Sequence, residues 1–188
     1  MKINNYLIVL TFLASTSSLF AQGKLTKNKE AIIASVEKHK ENLIKISDDI
    51  WALAETAFEE NQSSKILSDY AEQQGFKVER GVAGMPTAFV ATYGSGKPII
   101  SVLGEFDALP GLSQKAEPNK NPLNEGAAGH GCGHNMFGAG SLGAAVAIKE
   151  LIESGKIKGT IKFFGTPSEE KYFGKIKTFY IMVQISYS

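Results

Sequence analysis

From Asn28 to Phe58 apolar residues recur at helical spacing: Ile33, Val36, Leu43, Ile44, Ile50 and Trp51, with charged residues between them. This pattern predicts an amphipathic helix, broken at one point. A second helix fits Ser63 to Gln74, with Ile66, Leu67 and Tyr70 inward and Gly75 placed to end it. Strand signals follow at Phe76 and Val78 and from Thr87 to Tyr93, closed by a Gly94-Ser95-Gly96 turn. Pro98 to Leu103 is a continuous apolar run, as expected of a strand buried on both faces. Gly111 to Gly133 is polar, rich in glycine and without periodicity; long loops of that kind are usually functional. A helix crowded with small residues follows from Asn135 to Ser154, and Thr160 to Phe164 reads as a strand. The order strand, loop, helix, strand is a βαβ unit, with a right-handed crossover expected. The fold class is α/β: a three-layer sandwich with a mixed, largely parallel sheet.

The chemistry is concentrated at the predicted strand ends. Glu105 and Asp107 follow one strand, Glu169 and Glu170 follow the other, and His130, Cys132 and His134 precede the helix. Ligands of open α/β sheets bind outside the carboxyl ends of the strands, so this edge gathers carboxylates, a thiol and imidazoles. In Gly129-His-Gly-Cys-Gly-His-Asn135 the alternating glycines let an imidazole and a thiolate turn toward one point. Cys, His and Glu together suit a borderline-soft divalent ion, zinc first. Neighbouring Glu169 and Glu170 leave a strand in different directions. One can therefore bind the metal while the other acts as base toward water there. Asp107 is placed to orient a ligand imidazole. His39 has no partner in the sequence pattern and reads as a solvated surface residue. Gly138-Ala-Gly-Ser-Leu-Gly143 matches a dinucleotide fingerprint, but it lies inside a helix rather than between strand and helix.

Composition narrows the classes. The 188 residues suffice for one domain, with 43% hydrophobic and 21% charged positions and a formal net charge of +1. No Lys/Arg stripe is present to bind nucleic acid. Lys2, the apolar stretch Tyr6 to Leu13 and small residues up to Ala21 read as a secretory leader, too short to span a bilayer. The expected location is exported, periplasmic or extracellular, with no membrane span in the mature chain. With a single cysteine, Cys132, no internal disulfide can form.

Three segments together resemble the aminoacylase and carboxypeptidase superfamily of dinuclear zinc hydrolases: Gly104-Glu-Phe-Asp-Ala-Leu-Pro-Gly-Leu-Ser-Gln114, Gly129 to Asn135, and Gly165-Thr-Pro-Ser-Glu-Glu170. The first of these and Asn135 are similar to the amidohydrolase branch of p-aminobenzoyl-glutamate hydrolase type. That resemblance implies Cys132 as bridging ligand, His134 and Glu170 as terminal ligands, Glu169 as general base and Asp107 as supporting carboxylate. It implies zinc, with manganese as the alternative, and an N-acyl amino acid or dipeptide as substrate. Two ions serve the full-length family. No histidine follows Glu170 here, so at most one ion and negligible amidase activity are expected of this chain alone. The alternative is a non-catalytic exported metal-binding fragment. The expected division is a leader over 1–21, a partial catalytic domain over 22–174 and a divergent tail over 175–188. The family's dimerisation domain is expected to be missing, and no homodimer is expected. The apolar tail from Phe179 to Ile185 is placed either to cover a sheet edge or to promote aggregation.

Overall fold

The structure, a computed structural model, describes residues 26–177. The expected leader and the apolar tail lie outside the described residues. Helix α1 (Lys27–Leu53) runs without a break. The Thr26 side chain accepts the Lys29 amide at its start, and Glu30 lies in the positively polarised first turn. Helix α2 spans Asn61–Gln73. The hairpin strands β1 (Lys77–Arg80) and β2 (Phe89–Ser95) follow, then β3 (Ile99–Glu105), helix α3 (His134–Glu153) and β4 (Gly159–Thr166). A single turn, α4 (Glu169–Tyr172), comes after β4.

The sheet order is β1-β2-β4-β3. The βαβ unit forms as expected: β3 and β4 are adjacent and parallel. The sheet is mixed, as the sequence predicts, but its parallel part is smaller than expected: both other pairings are antiparallel. Parallel neighbours need a crossover, and among the described residues α3 provides the one helical crossover between strands. A short turn joins β2 to β3, and β4 enters between them, so β4 runs against β2. For the same reason the three long helices share one face. Ile46 and Ile50 of α1, Leu67 and Ala71 of α2, and Leu142 and Val146 of α3 join Phe89, Ala91, Ile161 and Phe163 in a single core. The helical layer expected on the other face is not found among the described residues.

Two further expectations change. Strand β3 is an edge, not a doubly buried strand: Ile99 is 44% and Ile100 54% exposed. Only β4 flanks it among the described residues. The buried face of α1 is formed by Ser35, His39, Ile46 and Ile50, while Ile33, Val36 and Ile44 stay exposed. His39 is therefore buried, not solvated. Its Nδ1 meets the Tyr70 hydroxyl at 2.9 Å and its Nε2 meets Glu150 Oε1 at 3.0 Å. These partners come from α2 and α3, far away in sequence, and no local pattern reveals them.

The His39 cluster should register in stability. Burial works against the charge on Glu150, but Lys38 at 2.7 Å and His39 hold its pKa down at about 2. A folded value below the ordinary carboxylate value stabilises the protein above that ordinary value, and the contribution is lost as pH falls toward the folded value. Glu150 is partly open to solvent, so we expect Glu150→Gln to cost about 1 kcal/mol at pH 7. The difference from wild type should shrink as pH drops from about 4.5 to about 2. Urea denaturation across that range checks it.

Candidate metal centre

The site forms where the parallel strands end. Glu105 is the last residue of β3, His134 the first of α3, and the Glu169–Glu170 pair follows β4. Small residues allow this convergence. A Cβ on Gly138 would lie 2.9 Å from the Glu105 carbonyl oxygen, so glycine lets the start of α3 close on the end of β3. Gly133, with φ of 81°, turns the chain into α3 immediately before His134.

Asp107 organises the cluster. Its side chain is fully buried. His134 Nδ1 donates to Asp107 Oδ1 at 3.0 Å, and the backbone amide of Glu170 donates to Oδ2 at 2.9 Å. The far side of the ring faces Glu105, with Nε2 3.2 Å from Oε2. Glu170 Oε1 lies 3.8 Å from Nδ1. Ligand atoms of Glu105, His134 and Glu169 all fall within 4.8 Å of one another. Lys175 Nζ bridges Glu105 Oε1 at 2.7 Å and Glu169 Oε1 at 2.8 Å.

The charges respond to one another. Burial opposes ionisation of His134, but the hydrogen bond to Asp107 and the charges of Asp107, Glu105 and Glu170 outweigh it and raise its pKa. Burial likewise opposes the charge on Asp107; His134 and the amides of Glu170 and Glu169 outweigh it and lower the pKa. Cys132 is exposed, and its thiol is pushed up, first by the neighbouring Glu170 carboxylate, then by partial desolvation and the other nearby carboxylates. His130 is set apart: its Nε2 donates to the Ile50 carbonyl at 3.1 Å, and burial pushes its pKa down.

Of the residues singled out in the sequence, the structure brings Asp107, His134, Glu169 and Glu170 into one cluster, while Cys132 is exposed and is not among the ligand atoms that lie within 4.8 Å of one another. Glu105 was visible as a carboxylate after a strand, but its contact with His134 was not. Lys175 carried no signal; its partner Glu105 is 70 residues away.

Residues 102–180 match Peptidase family M20/M25/M40. Over 142 residues the chain is 43% identical to a subunit of the p-aminobenzoyl-glutamate hydrolase of Escherichia coli (strain K12), covering 75% of this chain and 30% of that protein. The likeness to this peptidase family is thus carried by the segment that ends β3, opens α3 and contains the Glu169–Glu170 pair. It is 28% identical over 172 residues to the Xaa-Arg dipeptidase of Mus musculus, with 85% of this chain and 36% of that protein covered. Among solved structures it is similar to the Bacillus subtilis YXEP protein, a dinuclear metal binding peptidase from the M20 family. The TM-score is 0.65 at 25% identity, over 78% of this chain and 40% of that one. The chain thus spans well under half the length of each of these proteins. The family match continues past Gly174 to residue 180, beyond the point where the sequence resemblance was expected to stop.

The residues of this centre fit a divalent ion. Glu170 Oε1 is buried and accepts no hydrogen bond among the described residues. It points into a cluster where four carboxylates, of Glu105, Asp107, Glu169 and Glu170, outnumber His134 and Lys175. A cation answers both the orphaned oxygen and the excess negative charge. Lys175 supplies one such charge. We expect Lys175→Met to free Glu105 and Glu169 and to tighten zinc binding by about tenfold. Competition with a chromophoric chelator would show it, with circular dichroism confirming an unchanged fold.

Proposed function

We propose that the chain is the metal-binding portion of an amidohydrolase that cleaves the amide bond of an N-acyl amino acid, of which p-aminobenzoyl-glutamate is the first to test. The observation that carries this reading is Asp107. One buried carboxylate holds both the imidazole of His134 and the amide of Glu170, so the ring and the Glu169–Glu170 pair face a common point. The 43% identity to a p-aminobenzoyl-glutamate hydrolase subunit supports the substrate class. Cys132, His134 and Glu170 would hold zinc, the set of donors best suited to it, with manganese as the alternative.

A bound zinc supplies Lewis acidity toward the amide carbonyl and toward water. Glu169 removes the proton from the attacking water and returns it to the leaving amine nitrogen. Asp107 keeps His134 in the tautomer with Nδ1 protonated, leaving Nε2 as the donor atom. A cavity of about 560 Å³, lined among others by Trp51, Leu112, Leu123, His130 and Gly131, lies beside the residue preceding Cys132 and offers room for an acyl group. His39 is committed to Tyr70 and Glu150, and His130 to the Ile50 carbonyl. That leaves His134 as the available imidazole among the described residues, and at most one ion is expected per chain. The leader pattern over 1–21 goes with an exported protein.

A second reading, metal binding without turnover, is favoured by the Lys175 contact, which occupies the carboxylate proposed as base. Elemental analysis and turnover separate the two. Purified protein is expected to carry one zinc, lost in His134→Ala. Under the hydrolase reading, Glu169→Gln keeps the zinc and lowers p-aminobenzoyl-glutamate cleavage by about 10²- to 10⁴-fold. Zinc retained after His134→Ala would defeat both readings.

A further inference from the structure

A second carboxylate lies behind the Glu169–Glu170 pair. Glu60 is completely buried and forms the N-cap of α2. Its Oε1 accepts the Ser168 backbone amide at 2.8 Å, and its Oε2 accepts the Thr87 hydroxyl at 3.1 Å. Burial pushes its carboxyl up, and its hydrogen bonds only partly offset that. A fully buried acid needs a reason, and the residue it grips supplies one.

Ser168 adopts φ 57° and ψ 45°, a left-handed conformation that non-glycine residues rarely hold without enforcement. It is fully buried, its hydroxyl finds no partner among the described residues, and its carbonyl accepts the amides of Tyr172 and Gly174. The next residue is Glu169. The turn at Ser168 therefore sets the direction in which both glutamates leave the chain. Glu60 holds the amide of Ser168, Asp107 holds the amide of Glu170, and the segment between them is gripped at alternate amides by two buried carboxylates.

We propose that Glu60 is a positioning residue for the metal centre: it holds Ser168 in its left-handed turn and so aims Glu169 and Glu170 toward His134. The role in metal binding rests on the metal-centre reading; the hold on Ser168 does not.

Two measurements on the full 188-residue chain test it: amide hydrogen exchange across residues 167–172 without metal, and zinc affinity by chelator competition. Glu60→Leu removes the acceptor and is expected to speed exchange at Ser168 and to weaken zinc binding, each by about tenfold or more, the effect of one lost buried hydrogen bond. Glu60→Gln keeps an acceptor for Ser168 and a partner for Thr87, and should stay within about threefold of wild type on both. Adding Ser168→Gly to Glu60→Leu lets the turn form without enforcement and should recover most of the zinc affinity. A general packing role would not produce that recovery. If Glu60→Leu does not fold, Glu60→Asp, one methylene short of its reach, replaces it with the same expected pattern. Unchanged exchange and zinc affinity in a folded variant, an equal loss in Glu60→Gln, or no recovery with Ser168→Gly overturns the proposal. A wild-type chain that binds no zinc defeats the metal-centre reading and the positioning of ligands with it. Exchange would then still show whether Glu60 holds Ser168.

Discussion

The site depends on one buried carboxylate with two commitments. Asp107 gives one oxygen to the ring of His134 and the other to the backbone of Glu170. These partners belong to different elements, the start of α3 and the turn after β4. A carboxylate this deep is unfavourable unless both oxygens are answered. The same contacts that keep it charged also draw three chain segments together. Stability and site geometry are thus carried by the same hydrogen bonds.

That arrangement needs the backbone to come close. Gly138 lies against the Glu105 carbonyl, and a Cβ on Gly143 would meet Leu43 Cδ1 at 2.7 Å. Helix α3 is therefore pressed between β3 and α1, and its first residue, His134, has little freedom to move away from Glu105 and Asp107. The helix that closes the βαβ unit and the helix that delivers the imidazole are one element, so the sheet cannot pair β3 with β4 without placing His134 beside the strand ends.

Much of this was legible in the chain. The helices, the apolar run before Glu105, the small-residue helix and the carboxylates at strand ends are local patterns, and they located the cluster of Asp107, His134, Glu169 and Glu170. What the pattern missed is nonlocal. His39 looked solvent-facing because Tyr70 and Glu150 lie elsewhere in the sequence. Ile99 and Ile100 looked doubly buried because an apolar run does not say how many strands flank it. Lys175 and Glu60 took no part in any motif, and their partners became visible only when α2, β3 and the turn after β4 met. Glu60 sits in an ordinary acidic pair with Glu59; its burial depends on a turn more than a hundred residues later.

The strand order has a consequence for the time course of folding. Strands β2 and β3 are neighbours in sequence, yet they share no ladder, because β4 separates them. As the polypeptide leaves the ribosome, both present open flanks that cannot satisfy each other. The piece that closes them, Gly159–Thr166, is made only after the long polar loop and α3. Late insertion of a central strand means a large loop-closure entropy before the enthalpic return, a topology that slows acquisition of the native state. Until that insertion, the nascent chain carries its sticky surfaces unprotected.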